Sequence, residues 1–127
     1  LIVEDDRVTS TILARALERA GHQADVANNG KQAIERLKLD EVSVLVTDMT
    51  MPELNGQQLC ERVRAAPRYA ELPILLSPGS VDEDQLGWVE EMSDVEIVPK
   101  PVQLAHLIDR IQELTDEPEA RLRKAGD

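Results

Sequence analysis

Aromatic side chains are nearly absent from this 127-residue chain, making up 2% of it. Its core must therefore be aliphatic, and with 42% hydrophobic residues the apolar material for one is there, which argues against disorder. Cysteine is equally scarce. The single Cys60 can form no internal disulfide and has no partner thiol for a metal site, so it reads as a small helix residue in a reducing cytoplasm. Basic charge is the minority: 14 Lys and Arg face 25 Asp and Glu, a formal net charge of −11. That balance argues against direct binding of nucleic acid or an anionic membrane through this chain. No apolar run approaches the ~20 residues of a membrane span, and no signal-peptide pattern is visible. The chain opens on Leu1 in mid-strand without a methionine, so its true N-terminus is expected upstream. The length suits one domain.

What is present begins with an oddity. In "LIVEDD", Leu1 to Asp6, apolar residues run straight into three carboxylates. Glu4, Asp5 and Asp6 repel one another, and holding them close costs energy unless a cation joins them.

Periodicity gives a regular alternation of elements. Leu1–Val3 ends a strand, and Val8–Arg19 carries Ile12, Leu13, Ala16 and Leu17 at helical spacing, with Gly21 placed as a C-cap. Gln23–Ala27 alternates like a strand, "NNG" is turn chemistry, and Lys31–Leu39 is a second helix. Val42–Val46 is β-branched and buried, Gly56–Ala66 a third helix stopped by Pro67, and Leu72–Ser77 another strand. A helix over about Val81–Met92, a strand at Val95–Val98 and a helix from Pro101 to about Leu114 follow. Beyond Leu114 the polar tail, broken by Pro118, reads as a linker or short helix, giving a domain over 1–114 and a segment over 115–127. Strict alternation of strand and helix argues a doubly wound α/β fold: a parallel five-stranded sheet covered on both faces, a three-layer sandwich.

On that frame the polar residues converge. Asp5 and Asp6 follow the first strand, Asp48 the third, Ser77 closes the fourth, and Lys100 follows the fifth. All lie at carboxyl ends of strands, where open parallel sheets build their sites. Clustered carboxylates suit a hard divalent cation, and magnesium takes one or two carboxylates while keeping waters and phosphate oxygens. An ammonium and a hydroxyl beside them suit a phosphoryl group.

With these residues in this order, the sequence resembles the receiver domain of response regulators in two-component signalling. The match rests on "EDD", on Asp48 within "VLVTDMTMPELNG", on Ser77 closing "LPILLS" and on "KP" at Lys100–Pro101, and it covers about Leu1 to Leu114. The resemblance implies a flavodoxin-like sheet of order 2-1-3-4-5 with five helices. It implies that Asp48 accepts a phosphoryl group from a sensor histidine kinase or phosphotransfer protein, forming an aspartyl phosphate. Asp6 and Asp48 would then ligate Mg2+ with the Thr50 backbone carbonyl, and Asp5 would hold a metal-bound water. Lys100 would pair with Asp48, Ser77 would be the switch hydroxyl, and Gly56 would permit a tight turn. The implied protein is a cytoplasmic switch that catalyses its own phosphorylation and dephosphorylation. It would dimerise through the face of the fourth helix, fifth strand and fifth helix, without membrane or nucleic-acid contact.

The sequence departs from the family pattern in three places. Ile97, three before Lys100, stands where many relatives carry a switch Tyr or Phe, which weakens the relay from Ser77. Pro78, after Ser77, has no N–H to offer a phosphoryl oxygen. The segment "EEMSDVE" makes the surface of the fourth helix and fifth strand unusually acidic. The positions that could orient an attacking water are Thr50 and Gly79, with little or no reach, so the resemblance implies a long-lived phosphorylated state.

Rival readings differ in what they require. A phosphatase of the haloacid dehalogenase type needs a second aspartate where Thr50 stands. A flavin binder of the same fold needs a Ser/Thr-rich phosphate loop after the first strand, where this chain has carboxylates. A degenerate receiver, working as a phosphorylation-independent binding module, draws support from Pro78 and Ile97 alone. His22 and His106 show no ligand spacing and read as ordinary surface or helix histidines. Trp88 reads as packed partly onto the sheet.

Overall fold

A computed structural model describes residues 1–78 and 83–126, and side chains within these except for 83–85 and 117–126. Five parallel strands form one sheet: β1 (Ile2–Val3), β2 (Val26–Ala27), β3 (Leu45–Asp48), β4 (Ile74–Ser77) and β5 (Val95–Ile97). Their order is β2-β1-β3-β4-β5, as expected for the doubly wound fold. Between them run helices α1 (Arg7–Arg19), α2 (Gly30–Leu39), α3 (Gly56–Ala65), α4 (Glu83–Glu91) and α5 (Leu104–Gly126), with a short 3-10 turn at Pro67–Tyr69.

Apart from the polar residues that end β3 and β4 and the exposed Glu96 on the edge strand β5, the strands are apolar because both sheet faces are covered, and successive side chains serve opposite layers. Val3, Leu45 and Ile74 point into one cluster with Leu37 of α2 and Leu59, Cys60 and Val63 of α3. Their chain neighbours Ile2, Val46 and Leu75 point into the other, with Leu13 and Leu17 of α1 and Leu107 and Ile111 of α5. Cys60, fully buried in the first layer, has its thiol pushed up to about 12 by that burial, so it packs as a small hydrophobe. Trp88 of α4 is half-buried and, like Ile97 of β5, packs against the cluster of Leu76, Leu86 and Val89.

Local sequence explains the helix ends. Asp6, Asn29 and Asn55 each cap the following helix, accepting from the backbone N–H three residues on. Asn55 and Gln58 do so reciprocally, a capping box. α1 ends as expected at Gly21, whose φ is +97°, with His22 N–H bonded to Leu17 O and Gly21 N–H to Glu18 O.

Besides shifts of one or two residues elsewhere, three elements differ from their expected bounds. β2 keeps only two residues of Gln23–Ala27, and β3 lies further along than Val42–Val46, because pairing with β1 and β4 sets its limits. The last helix starts at Leu104 rather than Pro101 and runs unbroken past Leu114 to Gly126. Polarity and Pro118 in the sequence therefore did not mark the end of this helix.

Candidate functional site

The carboxyl edge of the sheet collects the site. Asp48 is the last residue of β3, paired in register with Ser77, the last residue of β4. β1 continues in effect to Glu4, whose N–H bonds Ala27 O at 3.1 Å, so the next residues turn toward β3. Gly56 brings α3 against this edge: a Cβ there would stand 2.8 Å from the Asp48 carbonyl oxygen and 2.9 Å from Leu76. Its backbone is not in the left-handed region, so the glycine serves close approach rather than the tight turn the sequence suggested.

Three carboxylates meet here, and they are Glu4, Asp5 and Asp48. One oxygen from each lies within 4.8 Å of the others. Glu4 and Asp48 are only 6% and 7% exposed, whereas Asp5 is open to solvent. Lys100 provides the counter-charge, with Nζ 3.1 Å from Asp48 Oδ1 and 3.9 Å from Glu4 Oε2. Burial pushes the Glu4 carboxyl above its usual range and the Asp48 charge adds to this, while the Asp6 N–H at 3.2 Å and Lys100 oppose it.

Asp6 is not part of this group. Its carboxylate is turned to α1, accepting from the Thr9 hydroxyl and from Thr9 N–H at 3.3 Å, and the Thr9 bonds hold it below the ordinary carboxylate range. The structure thus brings Glu4 and Asp5, and not Asp6, beside Asp48. The register of β1 decides this. Asp6 stands three residues before Thr9 and serves as the N-cap of α1.

Ser77 is buried, and its Oγ has no hydrogen-bond partner among the described residues. It lines a small cavity of about 20 Å³ together with Glu4, Asp48 and Lys100. A buried hydroxyl without a partner is costly, so an acceptor arriving beside Asp48 would relieve it. Thr50 sits exposed in the loop after β3, which is pinned by Met49 N–H to Ser77 O at 3.3 Å and Gly56 N–H to Met49 O at 2.8 Å. Among the described residues no backbone hydrogen bond takes the Thr50 carbonyl. Pro78 is buried next to Ser77, and Ile97 is half-buried on β5. Gly79 lies outside the described residues. A larger hollow of about 440 Å³ opens near His22 and Asp25 at the opposite, amino end of the strands, away from this chemistry. His106 is exposed on α5.

A doubly wound sheet with aspartate, lysine and hydroxyl gathered among clustered carboxylates at its carboxyl edge defines the class of α/β signalling switches. The family model for the response regulator receiver domain matches residues 1–112, and the chain belongs to that family. It is a receiver domain of a response regulator, a switch of two-component signalling. The response regulator MprA of Mycobacterium leprae is 33% identical over 114 residues, 90% of this chain and 49% of that protein. The chain thus spans about half the length of the curated relatives it matches. Among solved structures, a response regulator receiver protein from Pseudomonas putida superposes with TM-score 0.82 at 26% identity, covering 88% of this chain and 93% of that one. The receiver domain of a signal transduction histidine kinase from Syntrophus aciditrophicus gives TM-score 0.83 at 26% identity, over 91% and 88% of the two chains. Among the described residues no helix is long and apolar enough to cross a membrane.

Proposed function

We propose that Asp48 is the phosphoacceptor of a two-component phosphorelay. The observation that carries this is the Lys100 Nζ at 3.1 Å from Asp48 Oδ1, with the Glu4 and Asp5 carboxylates beside it. In this reading an Asp48 oxygen attacks the phosphorus of a phosphohistidine on a sensor histidine kinase or phosphotransfer protein. The P–N bond breaks, and its electron pair leaves with the imidazole. Lys100 moves from the carboxylate to a phosphoryl oxygen, and Ser77 Oγ donates to another, which ends its isolation.

The donor set fits a divalent cation: oxygen ligands only, two of them buried and within reach of one another. Glu4, Asp5, Asp48 and the Thr50 carbonyl would hold Mg2+, which would neutralise charge on the transferring group. Asp6, expected as a ligand, instead fixes the start of α1. The domain would catalyse its own dephosphorylation slowly, since Thr50 offers little reach toward an attacking water. Residues 1–114 would form the switch in the cytoplasm, and 115–127 the connector to an output region. Switching would act on the face of α4, β5 and α5, through which copies could dimerise.

The test is labelling by acetyl phosphate with magnesium, read by intact-protein mass spectrometry. The wild type should gain one phosphoryl group and Asp48→Asn none. Equal labelling of both would place the acceptor elsewhere, and labelling of neither would favour the phosphorylation-independent binding module.

A further inference from the structure

The strongest feature outside the site is a groove of about 330 Å³ between α2 and α3, closed at one end by the turn at Pro67–Tyr69. Its floor is apolar. Leu37 and Val63 are buried there, and Ile34 and Ala66 are partly exposed to it. Its rim carries Lys38, Arg62 and Arg68, all exposed, and no carboxylate lines it. In a chain with 25 acidic and 14 basic residues, three cations on one groove without an acid is a local reversal of the overall charge. None of the three makes an ion pair among the described residues, whereas Lys31, Arg36 and Arg110 do.

The groove is also preformed. The Tyr69 hydroxyl donates to Asp40 O at 2.7 Å, tying the closing turn to the end of α2, and the Arg68 guanidinium lies 5.2 Å from the Tyr69 ring centre. Leu39, next to Lys38 in the chain, is 81% exposed and adds apolar surface at the same helix end.

We infer that the α2–α3 groove docks an acidic amphipathic segment of a partner protein. The apolar floor takes apolar side chains recurring on one face, and the cationic rim takes the flanking carboxylates. A polyanion such as nucleic acid would meet the net charge of −11 and would leave the floor unused. A second copy would bring the same net charge against the first. The inference does not depend on Asp48 and is separable from the phosphorylation reading.

The probe is a capped, fluorescent, helix-forming peptide with leucines at three- and four-residue spacing flanked by glutamates. A counterpart with lysines in place of the glutamates is the control. Binding is followed by anisotropy, and the surface is located by methyl shifts of Ile34, Leu37 and Val63. The acidic peptide should shift these methyls and weaken with added salt. Combined Lys38→Glu, Arg62→Glu and Arg68→Glu substitutions should weaken it at least tenfold without changing Tm. The milder Lys38→Gln, Arg62→Gln and Arg68→Gln set serves if the reversal misfolds, and Asp48→Asn should bind like wild type. Shifts centred on another face, equal binding of the lysine peptide, or unchanged affinity in the substituted proteins would overturn the inference. So would self-association abolished by the same substitutions, which would assign the groove to a second copy.

Discussion

The carboxyl edge of the sheet and the α2–α3 flank both concentrate charge of one sign, and they do so under opposite physical conditions. At the edge, Glu4 and Asp48 are 6% and 7% exposed, and a single lysine stands against the three carboxylates gathered there. Water screens the buried Glu4 and Asp48 poorly, so the cluster is held at the expense of stability and is relieved by a cation or a phosphoryl group. On the flank, Lys38, Arg62 and Arg68 stand in solvent, where repulsion is weak. The buried cluster therefore ties stability to ligand, whereas the exposed one shapes encounter with little effect on the fold.

That contrast can be broken at Glu4. Its folded pKa is raised, so the folded protein binds more protons than the unfolded chain between the two values, and stability falls as pH rises through that window. Glu4→Gln keeps the shape and an acceptor for the Asp6 N–H while removing the charge. In chelator at neutral pH it should raise Tm by several degrees, and the gain should vanish in acid below the ordinary glutamate value of about 4.3. A lower Tm would mean that pairing with Lys100 outweighs burial. The smaller effect is at Asp6, whose folded pKa is lowered by Thr9. Its contribution is present above the ordinary aspartate value of about 3.9 and is lost as pH falls through the lowered one. Asp6→Ala should thus cost a few degrees of Tm at neutral pH and nothing in strong acid, checked by melts across pH. Charge reversal on the flank should be smallest of all, leaving Tm unchanged.

Glu4 and Asp6 also mark where the sequence stopped being legible. Alternation of apolar runs found all five strands along the chain, the family resemblance supplied their order across the sheet, and carboxyl-end placement brought Asp48, Ser77 and Lys100 to one edge. What periodicity could not resolve was a shift of one residue. Whether β1 hands over to the loop before or after Glu4 depends on pairing with Ala27 across the sheet, a contact between residues 23 apart. The same limit hid the groove. Lys38, Arg62 and Arg68 are scattered along the chain, and only the packing of α2 on α3 makes them neighbours. Ser77 could be placed at a strand end from its position, but the isolation of its hydroxyl is a property of the packed interior.

The central claim is that the cation-binding set at this edge is Glu4, Asp5 and Asp48, with Asp6 outside it. Thermal melting across a magnesium titration of wild type, Asp5→Asn and Asp6→Asn tests it most directly. Asn still caps a helix well, so Asp6→Asn leaves α1 intact and isolates the charge. Magnesium at ten times its dissociation constant should stabilise the wild type by about 1.4 kcal/mol, because it binds the folded state alone. Asp6→Asn should keep that rise in full and Asp5→Asn should lose it. A rise lost in Asp6→Asn and kept in Asp5→Asn would contradict the account.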